Sequence, residues 1–352
     1  MILTMPKEEL HITSHLGNEK CGNLKQYVDM ADSFISGWED EIAVADNKFP
    51  LSVTANQTMQ YKTSNGFYRD QDMSSFSFGQ ACSKIGIPAN FATKLLTHGH
   101  GELAVQTFDE LAGDFKSSDN EVLVRRYNGV DRGYLTTRYN VFNSSEVLHG
   151  IQDALSDSKY DGKYDLNQIY LSEERLHARF VAFNNPIKVG KEELIPGFTV
   201  TSSDVGRSSL NIKYFIYRAI CKNGIVFGTK YKGLLFRQSH LANFDIVASS
   251  LFKNALADID ELNIMAQQKL ESARTRILTG EELEFFMTKA QKELHMARDN
   301  QMDGIKKLLD ETYTGGNVLS FVHAITENAQ KYTLDTREDH ESWAGNLLLK
   351  MA

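Results

Sequence analysis

The spacing of apolar and polar residues divides the 352-residue chain into a β-rich middle and two other parts. Short runs rich in β-branched and aromatic residues, separated by polar turns, are typical of antiparallel hairpins. Asn128-Gly129 is a strong hairpin turn and separates the first two runs. The predicted strand pairs are Glu121–Tyr127 with Arg132–Arg138, Gln168–Leu171 with His177–Phe183, and Gly197–Ser203 with Ser208–Ile220.

The last third has the three- and four-residue spacing of helices. One helix is predicted from Leu241 to about Ile277, and a capping box at Thr279 begins a second that runs through Leu309. A third covers Val318–Lys331, and Trp343–Lys350 closes the chain. The first third indicates short helices and loops, with Pro88 dividing Phe76–Leu96 into two helices.

These patterns predict an α+β fold: a central antiparallel β-meander packed on helices, with long C-terminal helices. We expect three regions. Residues 1–120 form a mostly helical N-terminal region, residues 121–240 a basic β-rich core, and residues 241–352 a C-terminal helical region.

Charge is distributed unevenly over these regions. The net charge is −8, but residues 121–240 carry 17 Lys/Arg against 12 Asp/Glu, whereas both flanks are acidic. A basic middle between acidic flanks favours an anionic partner for the β-rich core, although an excess of this size also arises by chance.

Composition restricts the class of protein further. The sequence has no uncharged apolar run of 18 residues and no secretion signal at its start, so we expect neither a membrane span nor export. The three cysteines are far apart, which excludes a disulfide framework or a zinc ribbon. We expect a protein of a reducing cytoplasm.

The sequence shows no legible catalytic centre, and we predict no cofactor and no metal site. His98-Gly99-His100 lacks further ligands nearby for a metal. The string Lys159-Tyr160-Asp161-Gly162 matches the K-x-D-G element in which ligases and capping enzymes carry a nucleotidylated lysine. The signal is weak: four such residues occur by chance, the segment is typical of a polar turn after a helix, and Lys163-Tyr164 replaces the arginine usual after the motif.

Cations alternate with aromatic residues through the predicted strands, as on surfaces that bind single-stranded nucleic acid. The alternative interpretation is that the aromatic residues are core and the charges line the wet face. The candidate nucleic-acid-binding residues are Arg125, Arg126, Arg132, Arg138, Tyr139, Arg179, Lys213, Tyr214, Arg218, Lys222, Arg237 and His240.

Five strings, in order, resemble a phage and plasmid family known as domain of unknown function 932. They are Ile85-Gly86-Ile87-Pro88, the strand-turn-strand-helix of Leu123–Leu148, Ser203-Asp204-Val205-Gly206, the R-x-x-C-x-N-G of Arg218–Gly224 with Arg237 and His240 behind it, and Ala324-Ile325-Thr326-Glu327. In the last string, His323 and Asn328 depart from the family's N-A-x-T-E-Y.

The resemblance covers roughly residues 75–350 and implies a protein of mobile elements. Its strand-hairpin-helix pattern is similar to that of RecT and Red-beta single-strand annealing proteins, a comparison at the level of fold. Our first hypothesis is an oligomeric, non-enzymatic single-stranded DNA-binding protein of phage recombination or replication. The alternatives are a mobile-element factor that binds a host protein, and a lysine nucleotidyl transferase at Lys159.

Overall fold

A computed structural model describes residues 12–15, 23–44, 51–53, 59–62, 68–114, 121–218, 223–227, 234–238, 248–296 and 299–351. The strands within these ranges are β1 (Ile12–His15), β2 (Trp38–Val44), β3 (Leu51–Val53), β4 (Met59–Lys62), β5 (Tyr68–Met73), β6 (Glu121–Tyr127), β7 (Val130–Thr136), β8 (Asp165–Leu171), β9 (Arg175–Val181), β10 (Ile187–Val189), β11 (Glu192–Ser203), β12 (Leu210–Arg218), β13 (Asn223–Val226) and β14 (Leu234–Gln238).

Among the described residues, four helices precede β6 in the chain, one lies between β7 and β8, and six follow β14. They are α1 (Leu24–Ile35), α2 (Ser75–Lys84), α3 (Ala89–Thr97), α4 (Gly101–Asp114), α5 (Ser144–Leu155), α6 (Ala248–Ala257), α7 (Ile259–Thr275), α8 (Gly280–Glu293), α9 (Asp299–Glu311), α10 (Val318–Ala329) and α11 (Leu334–Met351).

The larger sheet has the order β1-β8-β9-β11-β12-β13, with β10 beside β11 and β14 beside β12. Its pairings are antiparallel, which confirms the predicted β-meander packed on helices. One face forms the main core with α1, α5, α6, α7 and α10. Because side chains alternate along a strand, the opposite face carries the other half of the residues.

The smaller sheet has the order β2-β6-β7-β5-β4-β3. Its β6–β7 hairpin turns at Asn128 and Gly129, whose φ angles of 49° and 79° are those of the predicted two-residue turn. The described part of residues 1–120 contains the strands β1–β5 as well as the helices α1–α4, and the sequence indicated the short helices but not these strands. Short strands there have little alternation by which to recognise them.

Two of the predicted C-terminal helices are each divided in two, whereas α11 is longer than the predicted Trp343–Lys350. Residues 241–247 of the first prediction lie outside the described residues. The helix predicted from Leu241 to about Ile277 is interrupted between α6 and α7 at Asp258, a poor helix former. The second stops after α8, where His295 has a φ of 51° and ends the helix with a left-handed residue. The capping box at Thr279 is present as predicted.

Among the described residues, the helices are too short or too polar to cross a bilayer.

Gly345 decides how closely α11 approaches the larger sheet. A Cβ atom at Gly345 would lie 2.1 Å from the Val226 carbonyl oxygen of β13, far inside a normal contact. Only glycine therefore permits this crossing without a shift of helix or strand.

We predict that Gly345→Ala lowers the free energy of unfolding by about 2–3 kcal/mol, because the added methyl group overpacks a backbone contact. Gly79→Ala in α2 is the matched control, since its Cβ would meet nothing within 4 Å and alanine favours helix. Urea denaturation followed by circular dichroism measures both. Equal stability of the two variants would contradict the close crossing.

Candidate functional site

The strand β9 separates charged from apolar side chains by simple alternation. Leu176, Ala178 and Phe180 belong to the main core. Arg175, His177 and Arg179 alternate with them and therefore point to the opposite side of the larger sheet. We call this side the polar sheet face.

Strand register extends the polar sheet face into two rows. Arg179 pairs with Gln168 on β8 and with Thr199 on β11, and Thr199 pairs with Lys213 on β12. The second row consists of Tyr170, His177, Thr201 and Asn211, and Asn211 is in register with Arg237 on β14. The meander thus brings together two of the cations predicted to bind nucleic acid, Arg179 and Lys213.

The first half of α11 covers this face with carboxylates. Both terminal nitrogens of Arg179 donate to the two carboxylate oxygens of Glu341, and the Nη1–Oε1 distance is 3.3 Å. Lys213 Nζ donates to Glu338 Oε1 at 2.6 Å. Arg337, on the same helix, donates to Gln168 Oε1 at 2.6 Å and lies 3.8 Å from Glu341 Oε1.

Burial makes these charges interact strongly. Arg179 and Glu341 are each at most 1% exposed, so each depends on the other in a medium of low polarity. Burial by itself would raise the pKa of Glu338, but the positive charges of Lys213 and Arg179 oppose this and lower it to about 2. Burial lowers the pKa of His177 well below its usual value, so the ring is neutral.

The polar sheet face has hydrogen-bonding capacity that the described residues leave unused. Both ring nitrogens of His177, Nε of Arg179 and Oγ1 of Thr199 are buried without a hydrogen-bond partner among the described residues. A guanidinium fork, an ammonium group and hydroxyl groups together form a typical oxyanion-binding set.

A second group of predicted residues joins the two sheets. Arg125 donates to the backbone oxygen of Asp204 at 2.5 Å and to Asp40 Oδ1 at 2.7 Å. Arg126 donates to Asp131 Oδ1 at 2.8 Å. Burial raises the pKa of Asp204 to about 7, against the opposing effect of the Ser144 donors.

Arg132 and Tyr139 lie in the same intersheet region. Arg132 contacts Glu173 at 2.8 Å and Glu174 at 3.4 Å, with all three side chains buried. Tyr139 is 9% exposed and donates its hydroxyl proton to the Ser203 backbone oxygen at 2.8 Å. In this conformation the Tyr139 ring offers no open surface for a base.

Tyr214 and Arg218 lie on the core side of β12, away from the polar sheet face. Tyr214 is fully buried and donates to Asn263 Oδ1 at 2.9 Å. Arg218 donates to the Tyr313 hydroxyl oxygen at 2.7 Å and contacts Glu192 at 3.3 Å. Here the alternative interpretation of the sequence describes the structure better: the aromatic ring is core.

The remaining candidates are spread over the chain. Arg138 is exposed in the turn that follows β7, and Arg237 lies on β14 opposite Asn211. Lys222 and His240 lie outside the described residues. The role of all twelve residues in binding nucleic acid stays a prediction.

Two other candidate chemistries gain no support from the described residues. Lys159 is exposed in a turn, whereas nucleotidyl transfer needs a desolvated lysine. His98 is exposed, and its Nδ1 lies 2.9 Å from the Lys94 carbonyl oxygen. Within the described ranges, histidine, cysteine and carboxylate groups do not come together in a set of three that could hold a metal ion.

The sequence reasoning missed α11 as part of the site. Glu338 and Glu341 lie three residues apart on one face of α11. Ala344 and Leu348 continue that face into the second half of the helix, which is mostly apolar. The spacing of the two glutamates is visible in the sequence. Their partners, Arg179 on β9 and Lys213 on β12, are more than 120 residues away in the chain and could not be inferred from it.

Comparison with known proteins gives one match. A family model described as Domain of unknown function (DUF932) matches residues 133–347. No curated protein and no solved structure matches the chain.

We predict that the stabilising effect of Glu338 disappears in acid. Because the folded-state pKa lies below the usual value near 4.5, the stabilisation is present above pH 4.5 and is lost as pH falls toward 2. The difference in unfolding free energy between wild type and Glu338→Gln should therefore shrink by about 3 kcal/mol over that range. Urea denaturation at pH 6, 5, 4, 3 and 2 measures this difference, and a constant value would contradict the ion pair.

Proposed function

Since this chain belongs to the DUF932 family, whose name states no activity, we propose its function from the polar sheet face: it binds single-stranded DNA. The observation that carries the proposal is the convergence of Arg175, Arg179 and Lys213 on one face of an antiparallel sheet. Cations arranged along strands can follow the phosphates of a flexible strand without reading its sequence.

The proposal uses fewer residues than the sequence indicated. Arg125, Arg126 and Arg132 are buried and are paired with Asp40, Asp131 and Glu173, so replacing them would disturb the fold before it reported on DNA. Contacts from Arg175, Arg179 and Lys213 are the ones proposed here. Arg179 is buried too, but its partner Glu341 and the Lys213 partner Glu338 belong to one segment of α11, and DNA binding requires that this segment uncover them. Stacking of bases on Tyr139 or Tyr214 forms no part of the proposal, since both rings are buried.

We also propose that the protein acts as a homo-oligomer in phage recombination or replication. Ile264, Ile277 and Phe285, on and between α7 and α8, are each more than 60% exposed. Large apolar side chains at this exposure favour contact with another protein surface.

A second candidate function is the binding of a host protein. Phe91 on α3 and Leu103 on α4 are each about half exposed, and Leu111 on α4 is also exposed. Contact of a host protein with these helices would not require the polar sheet face. A stoichiometric host protein recovered with the chain, and lost in a Phe91→Ser/Leu103→Ser variant, would favour this function over DNA binding.

We predict that the chain binds a labelled 40-nucleotide single strand more tightly than its duplex, with affinity falling steeply as salt rises. Three phosphate contacts on single-stranded DNA give a log–log salt slope of about −2. Fluorescence anisotropy across a salt series measures both quantities.

Lys213→Gln should weaken this binding about fivefold or more, because one phosphate contact is lost. Lys188→Gln is the matched control, because it removes the same charge from β10, outside the two rows of the polar sheet face. The Lys188 side chain is 75% exposed, and its ion-pair distance to Glu193, 3.9 Å, is long. Circular dichroism confirms that both variants are folded. No binding at low salt, or an equal loss in both variants, would refute the proposed contact surface.

A further inference from the structure

The carboxylates of α11 occupy positions suited to phosphates. Glu341 receives both arms of the Arg179 fork, a geometry that recognises carboxylate and phosphate alike. Glu338 receives the Lys213 ammonium at 2.6 Å. The helix therefore places two anions of its own on the face proposed to bind DNA.

The two halves of α11 are held by different forces. Ion pairs and polar contacts to the sheet hold Leu334–Glu341. Ala344, Leu347, Leu348 and Leu349 bury the second half in the main core. Anions compete directly with Glu338 and Glu341 for the cations of the first attachment, whereas the second attachment offers them no charged partner.

Helix α11 covers the polar sheet face but leaves some of its buried polar atoms without hydrogen bonds within the described part of the chain. His177, Arg179 Nε and Thr199 Oγ1 are buried beneath it without hydrogen-bond partners among the described residues. Buried polar atoms of this kind cost free energy, and a ligand that can reach them gains from satisfying them. A phosphodiester has more acceptor oxygens than the carboxylate it would replace.

We propose that Leu334–Glu341 is an internal competitor: Glu338 and Glu341 hold the oxyanion positions of the polar sheet face until a phosphate backbone displaces them. This inference rests on the proposed DNA binding and states how α11 would regulate it. Displacement moves about two turns of helix, while the apolar half beyond Gly345 remains docked. Apparent affinity for DNA is then lower than the intrinsic affinity, because only the small fraction of molecules with an uncovered face can bind.

Hydrogen–deuterium exchange on the wild-type protein tests the displacement without relying on DNA. Sodium tripolyphosphate is compared with sodium chloride at equal ionic strength. We expect the amides of residues 334–341 to exchange about fivefold faster or more in tripolyphosphate, since opening raises their exposed population, and those of residues 344–351 to keep their rate. Equal rates in the two salts would overturn the inference.

Glu338→Gln tests the competition with DNA, and Asp339→Asn is its control. Both replacements remove one negative charge from α11, but Asp339 is exposed and its replacement leaves the Lys213 contact intact. We expect Glu338→Gln to bind the 40-nucleotide strand about tenfold more tightly than wild type, because more molecules have an uncovered face. Asp339→Asn should stay within about twofold of wild type.

The outcomes separate this inference from the proposed function. If wild type binds the strand while Glu338→Gln and Asp339→Asn behave alike and residues 334–341 keep their exchange rate, the competitor is refuted and DNA binding stands. If none of the three proteins binds the strand at low salt, DNA binding is refuted. Faster exchange of residues 334–341 in tripolyphosphate would then still establish an anion-displaced helix.

Discussion

The contact between Arg179 and Glu341 is the interaction on which the rest of the larger sheet depends. It joins residues 162 positions apart and places two nearly inaccessible charges against each other. Neither charge is tolerable in that medium alone, so strand β9 and helix α11 require one another. The same requirement fixes the polar sheet face as an interior surface, although its composition is that of an exposed one. Gly345 allows the close crossing that brings Glu338 and Glu341 to their partners.

A second set of buried charges joins the two sheets. Arg125 on the smaller sheet donates to the Asp204 backbone oxygen, and Arg132 pairs with Glu173 and Glu174, all on loops of the larger sheet. These arginines hold the molecule together, which explains why strands with many cations need not form a cationic surface. The buried ion pairs fix the relative placement of the sheets, because hydrogen-bonded charges have a narrower geometry than apolar contacts.

A site made of matched internal charges can still be a binding site. The partners of Arg179 and Lys213 are supplied by one helix segment, whereas those of Arg125 and Arg132 come from the smaller sheet and from loops. A helix segment that ends in a separately anchored apolar half can move by itself, but a strand that is paired along its whole length, as β2 is with β6, cannot. The two sets of cations, Arg179 with Lys213 and Arg125 with Arg132, are chemically similar. They differ in whether the element that carries their partners can move.

The sequence by itself determined the fold class, the hairpin at Asn128-Gly129, the capping box at Thr279 and the family, because turns, caps and alternation are local properties. It also indicated Arg179 and Lys213, since charged residues within strands are visible in the pattern. Only the tertiary structure decided that Tyr139 and Tyr214 are buried and that Arg125 and Arg132 join the sheets. It alone brought Glu338 and Glu341 onto the polar sheet face. Such pairings depend on which distant element covers which face, and one-dimensional spacing carries no information about that.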